Sequence, residues 1–300
     1  MKNNESITVR NIVSQFRKGL SLNWLMTLVE TALMTLIPLF IGYAIDGLLE
    51  KKTDALIDLI IIVAVLIVIS VVRRLYDTRV FGGIRVATTL KLEKKSPDLA
   101  VSTLNARLEM GRELVDFLEF KVPELTNALV QLVISFIVLF SFAAYLSYAA
   151  LAAAFLMLGI YALFHHRFYR LNHEYNHQHE KQVKVLETRS KRGLFVHLSR
   201  LKNTEVKLSD TESILYGLII MVLMGFVIFN LWYATTHIVI TVGTIFAIVS
   251  YSWEFVESAL VLPDTLQGWT RLSEIMDRIN GNAKDNKRLA RIEDKQKLSA

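Results

Sequence analysis

Two long stretches without a charged residue constrain this chain more than any motif in it. No Asp, Glu, Lys or Arg occurs between Glu124 and Arg167, and none occurs between Glu212 and Glu254. One helix needs roughly 20 residues to cross a bilayer, and each stretch is about twice that length. Each stretch is therefore long enough for two membrane spans.

Polar breaks and two further apolar runs bring the predicted number of spans to six. The long stretches are interrupted by a Ser-Tyr pair at 147–148 and a Thr-Thr-His segment at 235–237, where we expect tight turns. Residues 20–45 form an apolar run interrupted only by Glu30. Residues 59–72 form a shorter run, which can cross the bilayer only if flanking residues extend the helix. A segment in hydrocarbon must satisfy its backbone internally, so the predicted fold class is an all-α membrane protein with six transmembrane helices.

The basic residues lie almost entirely on one side of this predicted topology. Of the 34 Lys and Arg residues, only Lys51 and Lys52 lie outside the predicted inner segments 1–20, 73–121, 165–213 and 263–300. The positive-inside rule then predicts that both termini are cytoplasmic. We read the net charge of +6 as this topological signal and not as a sign of nucleic-acid binding. The expected location is a bacterial inner membrane, with lipid as the surrounding partner.

Composition excludes several kinds of chemistry. The chain has no cysteine, which excludes disulfides, thiolate catalysis and cysteine-ligated metals. The first apolar segment is too long for a signal-peptide core and lacks a small-residue cleavage site, so no cleavable signal peptide is expected.

The segment HEYNH (173–177) matches a zinc-protease pattern. Its aspartate-glycine counterpart at 46–47 would lie near the opposite membrane face, more than ~30 Å away, so neither a protease nor a metal site is predicted.

The predicted loops are short outside and long inside. Two inner segments of nearly fifty residues separate spans 2 and 3, and spans 4 and 5. Residues 165–213 are rich in helix formers, contain a single glycine, Gly193, and place their apolar residues at helical spacing. We expect each membrane helix to continue into the cytosol and return as a helical hairpin.

This architecture and four local segments resemble the transmembrane domain of ABC exporters. The segment IPLFIGYAIDGLL (37–49) is similar to the outer end of the family's helix 1, and RRLYDTRVFGGIRV (73–86) to its helix 2. NARLEMGRELVDFL (105–118) resembles the start of helix 3. The run from Ile240 to Ile279, which includes TVGTIF, resembles helix 6 and the exit from the domain. The implied organisation is an interfacial helix over 1–20, a six-span exporter-type domain over 21–279 and a cytoplasmic tail over 280–300.

The chain departs from the family in having no G-x-x-x-x-G-K-[ST] phosphate loop. We therefore expect that it is not an enzyme by itself and binds no cofactor directly. The resemblance implies that ATP acts through a separate ABC ATPase subunit, which would dock on the tips of the inner hairpins. The first tip lacks the aromatic pair and glycine found in the family. The coupling candidates at the two tips are Lys95, Ser96, Asp98, Ser190, Lys191, Arg192 and Phe195.

Carboxylates within the predicted spans are the candidates for a substrate site. Glu30 lies about ten residues into span 1, and Glu254 and Glu257 share a face of span 6. Charge in hydrocarbon is costly, which indicates that these groups face a wet cavity or have a partner. One interpretation is a cavity for an organic cation, or a proton relay, lined by Tyr43, Tyr251 and Trp253. The other is that they lie near the cytosolic boundary or pair with inner-loop arginines.

Three functions follow as hypotheses. The first is the membrane subunit of an ABC-type transporter, with two six-helix subunits, identical or related, forming the substrate pathway. The second is a degenerate exporter domain that acts as a membrane-embedded interaction or regulatory partner. The third is a secondary transporter driven by protons through the three carboxylates.

Overall fold

The structure is a computed structural model that describes residues 8–95, 101–187, 189–238, 241–262 and 276 of the 300. These ranges are helical and contain no β-strand, which confirms the all-α prediction. A π-helical turn, Phe117–Lys121, lies between two α-helices and follows Asp116 without a break. The α-helices are α1 Val9–Gln15, α2 Arg17–Leu49, α3 Asp54–Lys95, α4 Val101–Asp116, α5 Val122–Phe142, α6 Ala144–Glu180, α7 Gln182–Glu187, α8 Lys191–His237 and α9 Val242–Leu262.

Six segments are long and apolar enough to cross a membrane, as the sequence predicts. They lie in α2, in α3, in the segment Leu108–Phe142 that runs through α4 and α5, in α6, in α8 and in α9. Flanking residues do extend the short apolar run at 59–72, because α3 continues without a break from Asp54 to Lys95. Helices α3, α6 and α8 are far longer than one bilayer crossing requires, so they extend beyond the membrane as predicted.

The turn between spans 3 and 4 lies earlier than the sequence indicates. The chain leaves the helix at Ala143, and the Ser-Tyr pair at 147–148 lies inside α6. Ser147 is fully buried and its hydroxyl donates to the backbone carbonyl of Phe136 at 2.9 Å. Because this bond satisfies the hydroxyl within the protein, the polar pair does not have to break the helix. The turn between spans 5 and 6 follows His237, at the end of the predicted segment.

The chain divides into two compact units. Unit 1 comprises Met1–Ser135 and Thr241–Ala300, and unit 2 comprises Phe136–Ile240. Near the N-terminus of unit 1, α1 turns its apolar side into the protein, where Ile12 joins a buried cluster with residues of α2, α3, α4 and the π-turn. The cluster consists of Ile12, Leu20, Phe81, Ile84, Leu92, Leu114, Val115, Phe117 and Leu118.

Unit 2 is built on the antiparallel pair α6 and α8. Tyr145, at the start of α6, packs against Tyr233, near the end of α8, with ring centroids 5.5 Å apart. The α8 residues that face the interior recur every three or four positions, which is the spacing of one helix face. They include Leu215, Ile219, Leu223, Phe226, Asn230 and Ala234.

Two glycines bring α2 and α9 into backbone contact in unit 1. A Cβ built on Gly243 would overlap the carbonyl oxygen of Gly42, and one built on Gly42 would lie 2.6 Å from the carbonyl oxygen of Gly243. The carboxylate of Asp46 accepts a hydrogen bond from the Gly243 N–H at 2.8 Å and another from the Thr241 hydroxyl. The start of α9 is therefore anchored to the C-terminal end of α2.

We predict that Gly243→Ala will lower the thermal unfolding midpoint of the nanodisc-held protein by roughly 5 °C or more. The added methyl group would push the backbones of α2 and α9 apart. Gly225→Ala is the matched control, since nothing lies within 4 Å of a Cβ at that position. Alanine also has the higher helix propensity, so this control should be neutral or stabilising. Equal midpoints for Gly243→Ala and the unmodified protein would contradict the close helix crossing.

Candidate functional site

A line of polar side chains runs along one face of α5 through the membrane. Asn127, Gln131 and Ser135 are spaced four residues apart, so they share that face. We call these three residues and their partners on α2 and α9 the α5 seam. At 1.5 Å per residue, the line extends from about 22 Å to about 10 Å from the C-terminal end of α5, within the hydrocarbon region.

Each member of the line has a partner on another helix of unit 1. The Thr31 hydroxyl of α2 donates to Asn127 Oδ1 at 2.5 Å. On α9, the Ser258 hydroxyl donates to Gln131 Oε1 at 3.0 Å, and Glu254 accepts a long 3.5 Å bond from Ser135. Thr31, Ser135 and Ser258 are buried. The seam therefore connects α5 to both α2 and α9 by hydrogen bonds away from lipid.

Helix α2 carries its own buried polar stripe beside the seam. Asn23, Thr27, Thr31 and Thr35 recur every four residues and all are buried. Thr27 and Thr35 donate to the carbonyls of Asn23 and Thr31 in the preceding turn, at 3.0 and 2.7 Å. Asn23 Nδ2 donates to Asp77 of α3 at 2.8 Å. One face of α2 thus packs inward although it is not apolar.

The structure distributes the predicted cavity residues among different environments. Glu30 accepts hydrogen bonds from Arg73 and Ser70, both on α3, so it lies in an ion pair. Tyr251 is fully buried and its hydroxyl donates to the Thr35 carbonyl at 2.8 Å. Both residues are therefore engaged in packing contacts within unit 1.

The remaining cavity candidates are more accessible. Trp253 is 47% exposed, and its indole N–H donates to the exposed Glu257 at 2.7 Å on the same face of α9. Glu254 points to the α5 seam and is partly buried. Tyr43 is half exposed on α2 and packs edge-to-face on Phe40. The three carboxylates predicted as one cluster thus have three different surroundings.

The coupling candidates lie at two helix reversals, of which the structure describes the second. Ser96 and Asp98 lie outside the described residues, and Lys95 is the last residue of α3. In the second reversal, the Ser190 hydroxyl caps α8 by accepting the Gly193 N–H at 3.1 Å. The other candidates, Lys191, Arg192 and Phe195, are exposed on the first turns of α8.

Sequence reasoning missed most of the α5 seam. Its signal is present, since Asn127, Gln131 and Ser135 interrupt an apolar run at i, i+4 and i+8. That spacing identifies a polar face, yet it does not say which helix covers the face. Thr31 and Ser258 are ordinary polar residues in the sequence, and only the packing identifies them as partners.

The comparison with known families agrees with this geometry. A family model described as ABC transporter transmembrane region matches residues 9–243. The chain belongs to this family, and the resemblance drawn from its local segments is confirmed. It is an integral multi-pass membrane protein and the membrane subunit of an ABC-type transporter. No curated protein matches the chain.

We predict that the seam bonds couple α5 to α9 energetically. Gln131→Leu should destabilise the protein by about 1 kcal/mol, because it leaves the buried Ser258 hydroxyl without its partner. In a double-mutant cycle with Ser258→Ala, the coupling should be about 0.5–1 kcal/mol, as measured by reversible unfolding in mixed micelles.

Ser141→Ala is the control for this cycle, since the Ser141 hydroxyl donates to Val138 of its own helix. Its effect should add to that of Ser258→Ala within experimental error. A coupling of zero between Gln131 and Ser258 would show that the two helices are not joined at this point.

Proposed function

We propose that this chain forms the substrate pathway of an ABC-type transporter and that a separate ATPase chain supplies the energy. Membership of the ABC transmembrane family supports an ATPase partner for that step. Both termini would be cytoplasmic, in a bacterial inner membrane. Two six-helix subunits, identical or related, would enclose the pathway.

An exposed apolar patch at the tip of the second hairpin carries the proposal of an ATPase partner. Leu186, Phe195, Val196 and Leu198 are 51, 72, 43 and 44% exposed. Phe195 lies about 63 Å along α8 from its outer end, about twice the thickness of the hydrocarbon core. Several exposed apolar side chains at this distance from the membrane favour a protein interface here.

Charges beside this patch suit a docking surface. Lys191 and Arg192 are exposed on the first turn of α8, next to the apolar residues. An apolar centre with a charged rim is the usual anatomy of a protein–protein interface. We propose that an ATPase docks on this patch, which we call the tip patch, and moves the hairpin as it closes on ATP.

The exposed face of α9 is the proposed wall of the substrate pathway. Val242, Phe246, Trp253 and Glu257 follow one helical stripe and are all exposed in the single chain. Glu257 lies about 22 Å from the outer end of α9, where contact of a carboxylate with lipid would be costly. A water-filled pathway between two subunits would solvate it.

This face has the chemistry to bind an organic cation. The indole ring of Trp253 and the carboxylate of Glu257 are held together by their hydrogen bond. An aromatic face and a negative charge together attract a positively charged, partly apolar molecule. Transport requires that the subunit bind this molecule with different affinity in its inward and outward states, since equal binding shifts no equilibrium.

We predict that Phe195→Asp will reduce the ATPase recovered with the protein from its native membrane by about tenfold or more, since interface anchors contribute 2 kcal/mol or more. The measurement is a pull-down in mild detergent, followed by assay of ATP hydrolysis. Val206→Asp is the matched control, because Val206 is also exposed on α8 but lies away from the tip patch.

Three outcomes of this pull-down are distinguishable. If the ATPase activity is lost with Phe195→Asp and retained with Val206→Asp, docking at the tip patch is supported. If both variants retain the ATPase activity, the ATPase docks elsewhere. Repeated native preparations without any ATPase would favour the regulatory partner or the proton-driven transporter instead.

We predict that Glu257→Gln will weaken binding of tetraphenylphosphonium to the nanodisc-held protein by about tenfold, because it removes the negative charge beside Trp253. Equilibrium dialysis with the radiolabelled cation measures this change. Glu50→Gln is the control, as it removes an exposed carboxylate at the outer end of α2. Equal affinities for all three proteins would exclude this face of α9 as a cation site.

A further inference from the structure

An open basic cavity lies between α6 and α8 in unit 2. Its volume is about 590 Å³. Arg167 and Arg170 of α6 and Lys207 of α8 supply three positive charges to its lining, and Glu174 supplies one negative charge. The lining is completed by Leu163, His166 and Leu171. Neither the predicted function nor the α5 seam uses any of these residues.

The positive groups of this cavity are available to a ligand. Within the part of the chain that the structure describes, no carboxylate forms an ion pair with Arg167, Arg170 or Lys207. All three side chains are exposed. Guanidinium groups offer paired donors that match the oxygens of a phosphate, and Lys adds a further positive charge.

The cavity lies at the depth of the inner lipid headgroups. Tyr145 at the start of α6 belongs to an aromatic cluster with Tyr148 and Tyr233, as is typical of the outer membrane interface. From Ala144, Arg167 and Arg170 are about 35 and 39 Å along the helix at 1.5 Å per residue. The hydrocarbon core is about 30 Å thick and the headgroups extend it to about 40–45 Å, so both arginines fall in the inner headgroup layer.

The apolar part of the lining is on the membrane side of the charges. Leu163 is 80% exposed and lies one turn nearer the membrane centre than Arg167. Glu174 lies one turn farther into the cytosol than Arg170. A molecule that fills the cavity therefore meets apolar surface first and positive charge next, which is the order of an acyl chain and its phosphate.

We propose that this cavity binds the phosphate group of an anionic membrane lipid. Arg167, Arg170 and Lys207 would hold the phosphate ester, a group that soluble phosphate esters also have. The lipid acyl chain would lie along Leu163. The lipid would connect α6 and α8 where the pair leaves the membrane. This inference concerns lipid binding alone and is independent of whether an ATPase or a cation binds elsewhere.

The test is a titration of the full chain in detergent, without ATP, with bound lipids counted by native mass spectrometry. Phosphatidylglycerol and phosphatidylcholine with identical acyl chains are the two lipid probes, and sn-glycerol 3-phosphate is the soluble phosphate probe. The first phosphatidylglycerol should bind about tenfold more tightly than phosphatidylcholine, and glycerol phosphate should not compete at the same concentration.

Two variants and one control assign the binding to this cavity. Arg167→Gln/Arg170→Gln should lower the affinity for phosphatidylglycerol by about tenfold or more, and Lys207→Gln on the facing helix by about fivefold. Arg200→Gln/Lys202→Gln removes two exposed positive charges from α8 outside the cavity and should change the affinity by less than about twofold. The Lys207 variant tests the proposal even if the double arginine variant does not fold.

Several results would overturn the proposal. Equal affinities for the two lipids would remove the role of the anionic headgroup. If the control variant loses as much affinity for phosphatidylglycerol as the cavity variants do, the effect is one of general charge. If glycerol phosphate displaces the lipid at a similar concentration, the cavity binds a soluble phosphate and the lipid is excluded as the specific ligand.

Discussion

A polar group within the hydrocarbon of a bilayer must find its hydrogen-bond partner inside the protein, and the packing of unit 1 depends on this constraint. On helix α2, the buried hydroxyl groups of Thr27, Thr31 and Thr35 have such partners. Thr31 reaches α5, Asn23 reaches α3, and the carbonyl of Thr35 accepts the Tyr251 hydroxyl from α9. Because lipid tails are as apolar as leucine, such bonds and close packing, more than hydrophobic burial, select which helices associate.

The same constraint separates groups that stabilise the fold from groups that are free to act. Glu30 has Arg73 and Ser70 as partners on α3, and Glu254 approaches Ser135 on α5. Glu257 instead shares the exposed face of α9 with Trp253. An intramembrane carboxylate on an exposed face requires water or another subunit beside it. This difference in surroundings is the physical basis for placing the proposed substrate pathway on α9.

Sequence reasoning succeeded for features that depend on the length of an apolar run and on where charged residues interrupt it. The charge-free runs led to six spans and to helices that extend beyond the membrane, which α3, α6 and α8 show by their length. It was less accurate where a polar residue finds a hidden partner. Ser147 indicates a turn in the sequence, yet its hydroxyl bonds to Phe136 and the turn lies at Ala143. Tyr251 suggests a cavity wall, yet it is part of the core.

The sequence alone determined the class of molecule, because the cost of placing charge and unpaired backbone in hydrocarbon leaves an apolar, helical span as the solution for each long run. Its local segments also indicated the ABC transmembrane family, which the match over residues 9–243 bears out. Tertiary structure alone decided which polar groups meet. The pairing of Gln131 with Ser258, and the grouping of Arg167, Arg170 and Lys207 around one cavity, depend on the rotation and register of neighbouring helices. Those variables are set by contacts between residues far apart in the chain, and no periodicity within one helix encodes them.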